Sequence, residues 1–325
     1  MTRPTHDRDP SADPSPAELD GDPTGRARAR LVTRRSLLVA AGAAVVIGAG
    51  GVAASAAGVI PGRSFVERKL GLVGAAGEIP DLAPGPAATG TFLSAARRGA
   101  DTGWTISYPP GSSVGDRLPV IVSLHGYGGD HRTSFGDRLG LDRFQAQAVS
   151  QGTAGFAVAS VDGGDAYWHP RVSGEDPRGM LVEEFLPLLA DQGLDTSRLG
   201  LLGWSMGAFG ALLLASDLGP ARVAAVGAMS VALWPTADRA ASGAFDDADD
   251  FARNDLLDPS RARALGTVAA RIDCGTADAF CPNNRRLVDT VTPRPTGVFT
   301  SGAHDMAYWR RVVPDQLAFL GARLG

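Results

Sequence analysis

Lysine is all but missing from this chain: Lys69 is the only one, and arginine carries the rest of the positive charge. Lys plus Arg total 31 against 35 for Asp plus Glu, a formal net charge of −4. There is no overall basic field to hold a phosphate backbone, which argues against nucleic acid as a partner. Cysteine is equally scarce. Cys274 and Cys281 are too few for a disulfide scaffold and have neither the number nor the spacing of a zinc site, so no structural metal is expected. Charged residues are only 20% and hydrophobic ones 44% of 325 residues. That balance excludes a disordered or fibrous chain and leaves enough apolar surface for one sizeable core or two small ones.

The N-terminal part has a different character. Residues 1–25 are dominated by Pro, Asp, Thr, Ser and Gly, with too little apolar surface to offset the entropy of ordering them, and are expected to form a disordered tail. Arg26, Arg28, Arg30, Arg34 and Arg35 follow with no acid among them, and Ser36 to Gly62 carry no charge at all. This is the layout of a signal segment. Thr33-Arg34-Arg35-Ser36-Leu37-Leu38 resembles the twin-arginine export motif, and Ala54-Ser55-Ala56 offers small residues at the spacing a signal peptidase requires. Residues 26–60 are therefore expected to engage the twin-arginine export machinery. Left uncleaved, the same stretch is long enough to attach the chain to a membrane. Both outcomes place the folded part outside the cytoplasm, after a linker over 61–88.

From about Thr89 the pattern becomes short apolar runs alternating with helix-length amphipathic ones. Strands are expected at Thr91 to Ala96, Gly103 to Tyr108, Leu118 to Leu124, Gly155 to Val161, Arg198 to Trp204, Val223 to Val231, Val268 to Cys274 and Gly297 to Thr300. Helices are expected near Arg143 to Gln151, Gly179 to Gln192, Met206 to Leu218, Asn284 to Val291 and Met306 to Leu324. The first two strands read as an antiparallel opening pair. The rest predicts an α/β domain over 89–325, a mainly parallel sheet flanked by helices on both faces.

Gly203-Trp204-Ser205-Met206-Gly207 matches G-x-S-x-G between a buried strand, Leu199 to Leu202, and a helix, Ala208 to Leu218. That is the strand-turn-helix setting of a nucleophile elbow. A serine on so tight a turn sits in a strained backbone, and strand and helix can approach only if the flanking positions lack side chains. Ser205 needs a base, which in this motif's order comes last in the chain. Of the five histidines, His6, His125, His131, His169 and His304, only His304 follows Ser205. It lies between the last strand and the final helix, at a strand's C-terminal end where open α/β sheets place their sites. The orienting carboxylate should fall between them. Asp278, in the loop after the strand ending at Gly275, is the leading candidate. Asp273, inside that strand, is the competitor, and the run Asp246, Asp247, Asp249 and Asp250 reads as a solvated loop or helix start.

Acyl transfer also needs oxyanion donors. Leu124-His125-Gly126-Tyr127-Gly128-Gly129 follows a strand, so the backbone N–H groups of Tyr127 and Met206 are the expected pair, with His125 a structural residue beneath the loop. Asp165-Ala166-Tyr167-Trp168-His169-Pro170 should open onto the site. Trp168 there and Trp204 in the elbow are the candidate substrate-binding residues, packing of the loop against the body being the alternative. Pro235 to Leu265 reads as an insertion that could form a partial cap.

Together with Asp273-Cys274-Gly275-Thr276-Ala277-Asp278 and Gly302-Ala303-His304-Asp305-Met306-Ala307-Tyr308-Trp309, these motifs resemble the putative esterase family of the α/β-hydrolase fold. That family includes S-formylglutathione hydrolases and exported mycolyltransferases. The resemblance covers roughly residues 89–325 and implies Ser205 as nucleophile, Asp278 as acid, His304 as base and no cofactor. It implies a carboxylesterase acting on a small-molecule or lipid ester. A cell-envelope acyltransferase with a sugar or lipid hydroxyl as acceptor is the alternative, and a noncatalytic binding protein on the same scaffold is a further one. Finally, export would place the domain where disulfides persist, and the only two cysteines lie seven positions apart in a segment that turns back, so a Cys274–Cys281 bond is expected.

Overall fold

Each apolar run named above forms a strand in the computed structural model, which describes residues 73–324. The expected tail and signal segment lie outside the described residues. The strands are β1 (Ala87–Ser94), β2 (Ala100–Ser107), β3 (Pro119–Leu124), β4 (Ala157–Val161), β5 (Asp195–Trp204), β6 (Val223–Met229), β7 (Ala269–Gly275) and β8 (Phe299–Thr300). They form one sheet in the order β1-β2-β4-β3-β5-β6-β7-β8. β1 and β2 pair antiparallel to each other, and β2 pairs antiparallel to β4. All later pairings are parallel. Because Leu124 pairs with Gly203, Trp204 with Met229, and Met229 with Asp273, the loops after β3, β5, β6 and β7 leave the sheet along one edge.

Helices cover both faces. They are α1 (Leu141–Ser150), α2 in three contiguous pieces (Pro177–Gly179, a π-helical Met180–Phe185 and Leu186–Asp191), α3 (Met206–Leu218), α4 (Ala248–Asn254), α5 (Pro259–Leu265), α6 (Cys281–Thr290) and α7 (Met306–Gly321). Strand alternation sorts the core into two layers. Val120, Val122, Leu124, Leu201 and Val226 pack with α2 and α3, whereas Ile121, Leu202, Trp204, Ala225 and Met229 pack with α1 and α7. Helix α3 is apolar all round, and its first ten residues are buried, as expected of a helix enclosed by sheet and neighbours. Among the described residues no helix is long and apolar enough to cross a membrane.

One boundary differs from expectation. The described part of the expected linker is packed on the domain: Val73 is fully buried, the Gly77 N–H donates to the Ala307 carbonyl at 2.7 Å, and Ile79 packs into the smaller core layer. These are single apolar and backbone contacts without periodicity, so no strand or helix pattern announces them. The insertion contains α4 and α5, each begun by an aspartate cap. Asp247 accepts from the Asp250 N–H at 2.7 Å, and Asp258 from the Ser260 N–H at 2.8 Å. The acidic run is thus a helix start, and its Asp250 is buried beside His169 at 3.6 Å.

Candidate active site

Ser205 stands between β5 and α3 with φ 55° and ψ −121°, a conformation non-glycine residues avoid. Its surroundings over-determine it. The Ser205 N–H donates to the Met229 carbonyl at 3.0 Å, and its own carbonyl accepts from the N–H groups of Phe209 and Ala232, both at 3.2 Å. A methyl at Gly207 would sit 1.9 Å from the Leu124 carbonyl oxygen, and one at Gly203 would sit 2.2 Å from the Gly207 oxygen. Both glycines are therefore demanded by backbone-to-backbone approach.

His304 follows β8 and reaches back to this turn. Its Nε2 lies 2.9 Å from Ser205 Oγ, and its Nδ1 lies 2.8 Å from Asp278 Oδ2. Trp309 meets the imidazole edge-on at 5.1 Å, and Phe280 lies at 5.3 Å on another side. Asp278 is buried, and its Oδ1 accepts from the Phe280 N–H at 2.8 Å. Burial alone would raise this carboxyl's pKa. The charge and hydrogen bond of His304, the Phe280 N–H and the Ser230 hydroxyl outweigh it, and the pKa is lowered. An ionised Asp278 accepts only, so Nδ1 carries the proton and Nε2 is free to accept from Ser205.

The competing acid is committed elsewhere. Asp273 stays within β7, where Arg271 Nε at 2.9 Å and Gln316 Nε2 at 2.8 Å donate to Oδ2, and the Val298 N–H at 2.7 Å donates to Oδ1. This network joins β7 to the β8 segment and α7. Burial still raises the Asp273 pKa, a different electrostatic state from that of Asp278.

Met206 opens α3, so its N–H precedes the helical ladder. The loop after β3 comes close enough that a methyl at Gly126 would sit 3.4 Å from Ser205 Cβ. His125 supports it from below. The fully buried ring donates through Nδ1 to the Gly126 carbonyl at 2.8 Å and accepts at Nε2 from the Gly163 N–H at 2.9 Å. Burial lowers its pKa, keeping it neutral, as this bonding requires. Asp165 Oδ1 holds the Gly128 N–H at 2.6 Å. The Tyr127 side chain stands out into solvent.

Three expectations are corrected. Trp168 is 1% exposed and packs under the loop: left-handed backbone at Tyr167 (φ 54°) and Trp168 (φ 59°) turns the indole inward. Its edge meets His125 at 5.1 Å, and its Nε1–H donates to the His125 carbonyl at 3.2 Å. Trp204 shares a strand face with Leu202 and packs on Trp309 at 6.3 Å in the α7 layer. Neither indole therefore lines a substrate surface. Cys274 and Cys281 are free, buried thiols. The turn between them is closed by backbone hydrogen bonds, Asp278 N–H to Gly275 at 3.1 Å and Cys281 N–H to Asp278 at 3.0 Å. The thiols interact with each other, which raises the pKa of Cys274 and lowers that of Cys281, with Arg285 reinforcing the latter.

Sequence reasoning reached Tyr127 and Tyr167 through their motifs but overlooked Phe280 and Trp234, which link them to the base. Ring contacts run from His304 to Phe280, on to Trp234 at 5.5 Å, to Tyr167 at 5.3 Å and to Tyr127 at 6.3 Å. The four aromatics come from four separate loops, so no single motif contains the chain.

A strained serine between a parallel strand and a buried helix, bonded to a histidine on a late loop, is the arrangement of an α/β hydrolase. Residues 95–320 match the family model described as Putative esterase, and the chain belongs to that family. Solved structures agree on the fold. A ferulic acid esterase superposes with TM-score 0.63 at 19% identity, covering 73% of this chain and 98% of its own. An S-formylglutathione hydrolase from Agrobacterium tumefaciens gives 0.62 at 18%, covering 76% and 98%. A fluorophosphonate-binding serine hydrolase of Staphylococcus aureus gives 0.58 at 16%, covering 74% and 99%. No curated protein matches the sequence.

Proposed function

We propose that the chain is a serine carboxylesterase working through a covalent acyl-serine. The observation that carries this reading is the continuous chain Ser205 Oγ, His304 Nε2, His304 Nδ1 and Asp278 Oδ2, with links of 2.9 and 2.8 Å, built on a strained elbow. Ser205 attacks the ester carbonyl as its proton passes to Nε2, and the buried carboxylate stabilises the imidazolium. The oxyanion settles against the N–H groups of Tyr127 and Met206, each worth about 3 kcal/mol in the transition state. Collapse expels the alcohol with the proton from His304. Water, deprotonated by the same imidazole, then attacks the acyl carbon, and the acid leaves as Ser205 regains its proton. The substrate is a small-molecule or lipid ester, and the chemistry needs no cofactor.

A fluorophosphonate probe should label Ser205, and short p-nitrophenyl esters should show an acyl-enzyme burst. Ser205→Ala should abolish labelling and lower turnover by about 10³-fold or more. Turnover retained by that variant would overturn the reading. No labelling and no turnover in the wild type would favour a noncatalytic binding protein. Partition of the acyl group to an added sugar or lipid hydroxyl, at the expense of hydrolysis, would mark an acyltransferase. Export through the twin-arginine machinery is part of the same proposal and rests on the arginine-flanked uncharged stretch Ser36 to Gly62. Replacing Arg34 and Arg35 by Lys should leave the chain in the cytoplasm, and unchanged export would refute it.

A further inference from the structure

The loop that carries His304 is held between two other segments. On one side is the acid loop: the Thr276 N–H donates to the Thr300 carbonyl and the Ala277 N–H to the Gly302 carbonyl, both at 2.8 Å. On the other side lies the strap of residues 73–79, which passes over the start of α7. Here Gly77 lies so close that a methyl would meet the Arg311 backbone nitrogen at 2.1 Å. The Arg311 side chain ties strap to loop. Arg311 donates through Nη1 to the Ala75 carbonyl at 2.8 Å and through Nη2 to the Ser301 carbonyl, three residues before His304. Its guanidinium also lies over the Tyr308 ring at 5.1 Å, and that ring packs where a Gly302 methyl would be, 2.1 Å away. Gly74, with φ 67°, gives the guanidinium room: a methyl there would lie 2.7 Å from Nη1.

We propose that Arg311 and the strap are positioning elements for the base: by clamping Ser301 to Ala75 they press the 301–304 loop against the acid loop and set the His304–Asp278 geometry. The proposal rests on His304 being the base. Arg310 supplies an internal control. It sits on the same turn of α7 and also grips main-chain carbonyls, but those of Arg138 at 2.8 Å and Asp137 at 2.6 Å, in the segment before α1. A planar guanidinium bridging two carbonyls is a geometric device, and small misplacements of a catalytic group are costly in rate.

The test uses the full chain and three variants: Arg311→Ala, Gly77→Val and Arg310→Ala. Measured for each are kcat and KM on a short p-nitrophenyl ester, the His304 Nδ1–H proton resonance, and Tm. Arg311→Ala should lower kcat about 10-fold with KM within about twofold, move the Nδ1–H resonance, and regain part of its rate when guanidinium is added. Gly77→Val should reproduce both effects, and the double variant should add nothing to either alone. Arg310→Ala should lower Tm comparably while leaving kcat and the resonance as in the wild type. An Arg311→Ala enzyme that matches Arg310→Ala in either kcat or resonance would overturn the proposal. The resonance also separates the two readings: a wild type without ester turnover would sink the esterase assignment, whereas an unmoved resonance in Arg311→Ala would sink the clamp.

Discussion

The elbow that carries Ser205 and the loop that carries His304 meet across 2.9 Å, yet they are held by opposite means. Around Ser205 the constraints are backbone atoms of adjacent strands and of its own helix, from Leu124, Gly207, Phe209 and Met229. Around His304 they are side chains and loops from distant parts of the chain, among them an arginine bonded to a carbonyl 236 positions away. A strained φ must be enforced sterically, because each such residue stores about 1–3 kcal/mol. An imidazole needs only direction, which hydrogen bonds and ring packing supply. The elbow should therefore fail all at once and the base loop by degrees.

The largest contrast is expected between two aspartates five positions apart. Asp278→Asn should cut kcat by about 10³-fold or more with a modest fall in Tm, because the imidazole loses its orienting acceptor and the partner of its cation. Asp273→Asn should leave the rate near that of the wild type and cost about 3 kcal/mol, since Arg271 and Gln316 lose a buried carboxylate. Steady-state kinetics beside chemical denaturation reads both, and a rate loss at Asp273 would erase the distinction.

Next comes the elbow itself. With the Leu124 oxygen only 1.9 Å from the position of a methyl, Gly207→Ala should destabilise by about 3 kcal/mol and take activity with it. A variant stable in urea yet inactive would show that the turn can deform without loss of packing, against the all-at-once expectation.

Acid should then separate the two regions in order. The His125 pKa is lowered by burial, so the unfolded chain binds that proton more readily. Stability should be lost as pH falls below about 6.5, the ordinary histidine value. Asp278 has a lowered pKa, so its contribution is complete above about 4, the ordinary carboxylate value, and disappears as pH falls through the lower folded one. His131 and His169, whose pKa values burial also lowers, add to the first phase. His125→Gln should shallow the slope of Tm between pH 6.5 and 5, and an unchanged slope would mean this ring is not buried in its neutral form. The smallest effect is expected at the thiols: alkylation of the unreduced, denatured protein should add two groups, and reductant should leave Tm unchanged.

Residues whose task depends on their immediate neighbours were legible. Gly203, Ser205 and Gly207 form one string, flanked by a strand and a helix whose apolar periods fall within a few residues of one another. His304 followed from chain order, and the strand that ends at Gly275 placed Asp278 in a loop while keeping Asp273 as a rival. Trp168 and Trp204 were misread because which face a side chain takes depends on register and on left-handed backbone at 167 and 168, and neither has a local composition signal. The disulfide expectation met a related limit: spacing shows that two cysteines can approach, not whether their sulfurs are joined.

What the sequence by itself determined is the alternation of strands and helices, the elbow and the order of its partners, because those are consequences of period, glycine and short-range sterics. Only the tertiary structure decided that Asp278 is the acid facing His304, that the two indoles belong to the core, and that Arg311 joins the 73–79 strap to the base loop. Those outcomes rest on contacts between segments far apart in the chain, and such contacts exist only once the sheet has brought its loops to a common edge.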